Sequence, residues 1–487
     1  MKRTISCILA LLMAATAMSC GEVADSGEVS SDNGGNTETS SDETEELTDG
    51  LPETNMDGFV LSILHSTADS LNWANVQLDA ESENADLIND AIYKRNITIE
   101  ERFNCEIAVT ENPWQDITAQ YQSLVMSGDN SYDIIMAYGI DTLNNIDYMA
   151  DMNNLPYIDY EAEWWNPNAT SIFKLGTKQV AAAGNFSLSY VSTANCLLFN
   201  KRVYDEMNTG ENLYDIVRDG KWTTDKFFEV AKAGESDLNG DSIMNENDRM
   251  GVTGTVKAFN HMLVIGAGLH YITMDEENYP QFNISSDEKM LGFIEKIMKA
   301  QSDDPYLYYG PDNVDSSEMP VDFIDGGCLF MVAWPHNIAN YRDMKDDFGI
   351  VPAPKYDESQ SMYYSNMANG EVATLPRSYD ASRAEYIGIL LEAMSFYTHH
   401  EIIPVYKEVL LSNKLTRDDD SNEMLDIVFE GITYDYGINV WQANVGNKIS
   451  NEIYLNKNTA IVSTIDSIST TLNAEIEKLK TSVEAMP

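Results

Sequence analysis

Between Phe59 and Tyr138 the chain alternates short apolar runs with amphipathic stretches, and this rhythm constrains the fold more than any other feature. Phe59-Val-Leu-Ser-Ile-Leu suits a buried first strand. Ala85 to Phe103 then carries Leu87, Ile88, Ala91, Ile92 and Ile97 at helical spacing. Glu106-Ile-Ala-Val reads as a second strand, Trp114 to Met126 as a helix, and Tyr132-Asp-Ile-Ile-Met-Ala as a third strand ending at Tyr138-Gly139. This order predicts a parallel sheet covered by helices. Ligands of such sheets gather at the carboxyl ends of strands, where Tyr138 falls.

A second α/β pattern begins at Leu188. Cys196-Leu-Leu-Phe is a strand, Lys201 to Met207 opens a helix, and Lys221 to Ala233 is a further helix with Thr223 or Thr224 placed to cap it. His261 to Ala267 and Met290 to Ala300 are helical, and Cys328-Leu-Phe-Met-Val-Ala is a buried strand ending at Trp334-Pro335. Phe348-Gly-Ile-Val-Pro-Ala-Pro reads as an extended crossing segment, because prolines favour extended neighbours. Glu385 to Tyr397 is an apolar helix and Thr459 to Val483 a long amphipathic one. No solenoid or propeller period is present.

The first residues have a different character. Lys2 and Arg3 precede an apolar run from Ile8 to Ala17 that is too short for a stable bilayer span and reads as a signal peptide. Ala17-Met18-Ser19-Cys20 resembles the lipobox of bacterial lipoproteins, with Ala17 where leucine is usual; the resemblance implies cleavage before Cys20 and lipid attachment, such as palmitate, at that residue. From Gly21 to Asp57 there is no Lys or Arg, and Ser, Gly, Thr, Asp and Glu dominate. Such a stretch cannot bury enough apolar surface to offset chain entropy, so a flexible acidic leash is expected. About 430 residues follow, enough for two domains of ordinary size.

The formal charge of −49 argues against a nucleic-acid partner, whose phosphates would be repelled, and against a protein lying on anionic lipid. Cys105, Cys196 and Cys328 have neither disulfide-framework nor zinc spacing and read as buried apolar side chains. The histidines are scattered, and His399-His400 has no acidic neighbour at metal spacing. No nucleophile elbow, phosphate-cradling loop or His-Glu-x-x-His helix occurs, so no catalytic residue is assigned and no enzyme is expected.

Several segments, in order, resemble the extracellular solute-binding proteins of ABC importers, the family-1 type that mostly serves sugars. They are Asn89-Asp-Ala-Ile-Tyr-Lys-Arg-Asn-Ile-Thr-Ile-Glu-Glu-Arg-Phe-Asn, Tyr132-Asp-Ile-Ile-Met, Trp164-Trp165, Leu198-Phe-Asn-Lys-Arg-Val-Tyr-Asp-Glu, Lys221-Trp-Thr-Thr-Asp-Lys-Phe, Gly327-Cys-Leu-Phe-Met-Val and Phe348-Gly-Ile-Val-Pro-Ala-Pro-Lys. The resemblance implies a two-lobed α/β fold of the periplasmic-binding-protein type II, with hinge crossovers. Mapped onto this chain, residues 1–20 are the signal peptide, 21–57 the linker, 58–180 and 365–414 one lobe, and 181–364 and 415–487 the other. It also implies a monomeric, lipid-anchored subunit on the outer face of the cell membrane that captures a sugar or oligosaccharide and passes it to ABC permease subunits. A surface glycoside hydrolase and a binder of peptide or polyamine are the alternatives.

A sugar site needs flat aromatics for C–H faces and fixed polar partners for hydroxyls. Trp334, where a strand meets a Pro turn, is the first candidate; Tyr138, Trp73, Tyr364, Asn366 and Trp165 join it. Trp164 and Trp165 cannot both face one ligand if extended, and Trp222 at a helix start reads as packing. Asp237-Leu-Asn-Gly-Asp-Ser-Ile-Met-Asn-Glu-Asn-Asp248 places oxygens at the positions of an EF-hand-type loop: Asp237, Asn239, Asp241, the Ile243 carbonyl, Asn245 and Asp248. Ser242 stands where glycine is usual and Asp248 where a bidentate Glu is usual. A structural Ca2+ is the expected occupant, and no organic cofactor is expected.

Overall fold

The computed structural model of the protein describes residues 48–69, 74, 76–244, 248–304, 307–309, 323–341, 343–368, 370–411 and 419–487. Residues 1–47, Trp73, Asn245 and Lys414 lie outside the described residues. Ten strands build two five-stranded sheets: β1 (Phe59–Ser66), β2 (Cys105–Asn112), β3 (Ile134–Tyr138), β4 (Met149–Ala150), β5 (Cys196–Asn200), β6 (Met250–Thr253), β7 (Tyr308–Tyr309), β8 (Cys328–Ala333), β9 (Phe348–Val351) and β10 (Glu371–Pro376). The first sheet runs β2-β1-β3-β10-β4 and the second β7-β6-β8-β5-β9. In each, three parallel strands are followed by one that runs antiparallel to both its neighbours.

That repeated misfit strand explains the two-lobed plan. β10 completes the first sheet only after the chain has laid down all five strands of the second, and β5 enters the second sheet directly after the chain leaves the first. The two passages between sheets lie against one another. Ala182 bridges Ala373 at one end, Ala194 bridges Met367 at the other, and both bridges are antiparallel. A further extended segment, Ile432–Thr433, pairs in parallel with Ser365–Asn366. Short extended segments that cross side by side bend at few dihedrals, as hinges of closing lobes do.

The strands are apolar along their whole length because helices cover both faces. Leu61, Ile63, Ile134 and Met136 point to one face of the first sheet, packing with Ile99, Phe103 and the helix Ala384–Tyr397. Leu64, Ile135 and Ala137 point to the other and join the core that continues through the crossings into the second lobe. The helix Ala384–Tyr397 approaches so closely that Gly388 has no room for a Cβ against the carbonyl of Pro156.

Most elements read from sequence form where expected, with helices at Leu87–Phe103, Trp114–Ser127, Glu288–Asp303 and Ile461–Glu484. Thr223 caps the helix Thr224–Ala233 by accepting the Lys226 N–H. One reading needs correction. Phe348–Val351 does not cross between lobes; it is the outer strand β9, paired antiparallel with β5. Its prolines follow the strand and stop it from extending, which sequence pattern alone does not distinguish from a crossing.

Candidate solute-binding cleft

The carboxyl ends of the strands supply the candidate site side chains of both lobes. On the first lobe, β1 ends at His65 and Ser66, the helix after β2 begins at Trp114, and β3 ends at Tyr138. Trp114 and Tyr138 lie 4.9 Å apart, ring centre to ring centre, at 43°. Glu371 faces Tyr138 across the β3–β10 ladder and accepts the Ser66 N–H at 3.0 Å. His65 is fully buried between Glu371, 3.9 Å away, and Glu111, 3.5 Å away. Burial opposes its protonation, but the two carboxylates outweigh burial and raise its pKa to about 9.

On the second lobe, β8 delivers Trp334 to the start of a short helix at Pro335, and the Trp334 ring lies over His336 at 6.2 Å and 26°. His336 Nδ1 is 2.9 Å from the Ser192 carbonyl on the first crossing. The Trp334 indole N–H is buried without a hydrogen-bond partner among the described residues. A cavity of about 210 Å3 opens beside it, lined by Asn195, Thr255, Lys257, His261, Trp334, Asn366, Ile438, Asn439 and Gln442, among others. The floor is a lattice of hinge amides. Asn366 N–H donates to Asn195 Oδ1 at 3.1 Å, Asn195 N–H donates to the Asn366 carbonyl at 3.1 Å, and Asn439 Nδ2 reaches Asn366 Oδ1 at 3.5 Å.

The cavity also holds an ammonium that sequence reading overlooked. Lys257 has no ion-pair partner among the described residues, and burial lowers its pKa to about 8. Below it, burial and the Lys257 charge push His261 down to about 3, so the ring is neutral and lies 3.0 Å from Ser450 Oγ. A larger cavity of about 450 Å3 lies on the far side of the 438–444 segment, between Leu143–Asp147 and the C-terminal helix. It contains Trp441 but none of the strand-end aromatics, so the smaller cavity is the better candidate for a site of this fold.

The sequence candidates divide accordingly. Trp334 and Asn366 line one cavity, and Tyr138 stands at the end of β3 in the first lobe, 8% exposed and packed on Trp114. Tyr364 packs instead beside Gly268 on the second lobe. Trp165 is 0% exposed: its indole donates to Glu392 Oε2 at 2.6 Å within the first-lobe core, and Trp164 donates to Oε1 of the same carboxylate at 2.8 Å. Neither ring covers the cleft, because Glu392 is itself buried and needs both donors. Trp222 is buried, its indole donating to the Pro352 carbonyl, as packing requires.

A family model described as "Bacterial extracellular solute-binding protein" matches residues 98–420. The chain belongs to that family. No curated protein matches it. Among solved structures, the extracellular solute-binding protein from Staphylococcus aureus in complex with maltose aligns at TM-score 0.57 and 13% identity, covering 86% of this chain and 98% of that one. The cyclic alpha-maltosyl-1,6-maltose binding protein from Arthrobacter globiformis aligns at 0.55 and 14%, covering 86% and 100%. The maltose/maltodextrin-binding domain MalE from Bdellovibrio bacteriovorus, bound to maltotriose, aligns at 0.50 and 12%, covering 86% and 100%. At such identities the likeness is one of fold, and it is the two-lobed α/β fold of solute-binding proteins. Among the described residues, no helix is long and apolar enough to cross a membrane.

Proposed function

We propose that this solute-binding protein captures a neutral oligosaccharide between its lobes and surrenders it to an ABC permease without turning it over. The observation that carries the reading is the cavity beside Trp334. A half-buried indole face with an unpartnered N–H meets buried amides at the junction of two hinge crossings. A sugar ring offers apolar C–H faces to the indole and hydroxyls to the amides, leaving few buried polar groups unpaired. The solved neighbours that hold maltose or maltotriose make α-glucans the first ligands to try.

A thermal-shift and calorimetric screen against maltose, maltotriose and cyclic glucans, with other oligosaccharides, peptides and polyamines as controls, tests this. A raised melting midpoint with intact sugar recovered supports the reading. Release of new reducing ends points to a hydrolase, and stabilisation only by an amine or peptide points to a different cargo.

The anchor belongs to the same proposal. Cleavage before Cys20, lipidation there, and a leash to residue 57 would hold a monomeric trap beside its permease on the outer face of the membrane, with lobes at 58–180 plus 365–414 and 181–364 plus 415–487. Cys20→Ala is expected to release the protein into the medium; retention at the membrane would contradict the anchor.

Calcium in the 237–248 loop is a further part of the proposal. Asp237 accepts the Gly240 and Ser242 N–H groups, Asp241 accepts that of Ile243, and Asp248 accepts that of Leu238. Ser242 takes the left-handed conformation, φ 64°, that the loop asks of its sixth position. These turn hydrogen bonds support the reading of a compact acidic loop, although the carboxylates of Asp237, Asp241 and Asp248 do not all come within 4.8 Å of one another. Ca2+ would draw Asp237, Asn239, Asp241, the Ile243 carbonyl, Asn245 and Asp248 together and stiffen a turn of the second lobe. An EGTA-induced fall in melting midpoint, reversed by Ca2+, is expected; an unchanged midpoint would remove calcium from the account.

A further inference from the structure

Outside the cleft, the fold assembles a cluster that the sequence order conceals. His399 and His400 follow the apolar helix Ala384–Tyr397, and Glu163 lies at the turn before Trp164-Trp165. One ligand atom from each of these three residues lies within 4.8 Å of the other two. Among the described residues no other trio of His, Cys, Asp or Glu meets that condition. The acidic partner at metal-ligand spacing, which adjacent Glu401 does not provide, is thus supplied from more than 200 positions away, with His399 Nε2 3.4 Å from Glu163 Oε1.

The backbone explains how adjacent histidines converge. Residues Thr398–Ile402 form a π-helical turn between Ala384–Tyr397 and the helix Ile403–Leu411. Pro404 has no N–H to offer the His400 carbonyl, so the regular ladder fails there and the turn widens. A π turn advances less than the 100° per residue of an α-helix, and the two imidazole centres come to 4.8 Å at 86°.

Two buried polar atoms lack partners at this spot. His400 Nε2 is one, and Asn185 Oδ1, on the first crossing, is the other. Asn185 is 3% exposed, and its amide nitrogen is placed 2.7 Å from His399 Nδ1. Exchanging the amide oxygen and nitrogen, which are distinguished only by their bonding, turns this contact into Nδ1–H donating to Oδ1. The oxygen then accepts from Nδ1–H, the amide nitrogen takes the unpartnered position, and His399 Nε2 presents its lone pair towards Glu163. A histidine whose far nitrogen is held by a carbonyl is the usual arrangement of a metal ligand.

The geometry points to a zinc-class divalent metal site formed by Glu163, His399 and His400, with Asn185 as its positioning residue. Two imidazoles and one carboxylate suit Zn2+ better than Ca2+ or Mg2+. Ligand atoms around tetrahedral zinc sit about 3.3 Å apart at bonds near 2.0–2.1 Å, so a modest swing of the exposed Glu163 side chain closes the shell. Glu163, Asn185 and His399 line a cavity of about 310 Å3 together with Asn168, Tyr190 and Glu430, which leaves room for water or an exogenous ligand in the fourth position. The metal would fasten the Glu163 turn to the π turn, with Asn185 coupling it to the first crossing.

The test is Zn2+ binding to the chelator-stripped full chain in excess Ca2+, which keeps the 237–248 loop out of the measurement. One Zn2+ per chain with a raised melting midpoint is expected, and a chain carrying H399Q and H400Q together should lose both. Asn185→Leu should weaken binding by about 10- to 100-fold, whereas Asn185→Asp should retain it. Should the double variant not fold, Co2+ added to the wild type gives the independent readout: an intense visible ligand-field spectrum, lost on E163A or H399Q alone. Zn2+ affinity equal in wild type and the histidine variants, or no tetrahedral Co2+ spectrum in the wild type, would overturn the site.

Discussion

The two lobes use tryptophan in opposite ways. In the first, Trp165 and Trp164 both donate to Glu392, and the carboxylate disappears into the core with its acceptors filled. In the second, Trp334 stands at a strand end with its N–H unfilled beside a cavity. A completed hydrogen-bond set fits a residue that holds the lobe together, and the unfilled one beside a cavity is what makes Trp334 the proposed ligand contact. The strand-end charges differ too. The first lobe packs an ionic trio, His65 with Glu111 and Glu371, whereas the second offers amides and a solitary Lys257.

The largest expected effect breaks the contrast at its structural end. Trp165→Ala should cost about 3–5 kcal/mol from the lost ring, and more from the donor taken from buried Glu392. Chemical denaturation of this variant against Trp334→Ala measures the difference, since the latter should change stability by less than about 1.5 kcal/mol while losing ligand affinity. Equal destabilisation would erase the distinction between the two tryptophans.

The ionic trio predicts a pH dependence. The folded-state pKa of His65, about 9, lies above its ordinary value of 6.5. Its contribution is therefore complete below about pH 6.5 and declines as pH rises through about 9. Lys257 works in the other direction, its lowered pKa raising stability only above about pH 8. Denaturation midpoints between pH 6.5 and 8 should thus fall in the wild type and fall less in His65→Asn. A wild-type slope that matches the variant's would refute the buried imidazolium.

A smaller effect concerns Lys257 itself. Replacing it with Met removes a buried cost of charge, so thermal stability should hold or rise slightly at pH 7. Affinity for a neutral oligosaccharide should change within about tenfold, and the pH dependence of that affinity near pH 8 should flatten. Loss of all binding in this variant would indicate an anionic cargo held by the ammonium.

Much of the fold was readable because strands covered on both faces and amphipathic helices leave strong local periodicities, as in Phe59–Ser66 and Leu87–Phe103. What local pattern does not carry is partnership across the chain. Trp165 gave the same signal as Trp334 until Glu392, 227 positions away, was brought beneath it. Lys257 drew no notice because burial of a lysine is a tertiary event. Likewise Glu401 beside His399-His400 is not at metal-ligand spacing, and the carboxylate that is comes from the distant Glu163 turn, although Pro404 four residues after His400 is a legible sign of an irregular helix.

Trp334 is the proposed sugar-facing surface of the cleft. Isothermal titration of maltotriose into the wild type and into Trp334→Ala tests it most directly. Saturable binding by the wild type, weakened by about 30-fold or more (2 kcal/mol) in a variant of unchanged melting midpoint, is the predicted result. Undiminished affinity in that variant would place the solute elsewhere.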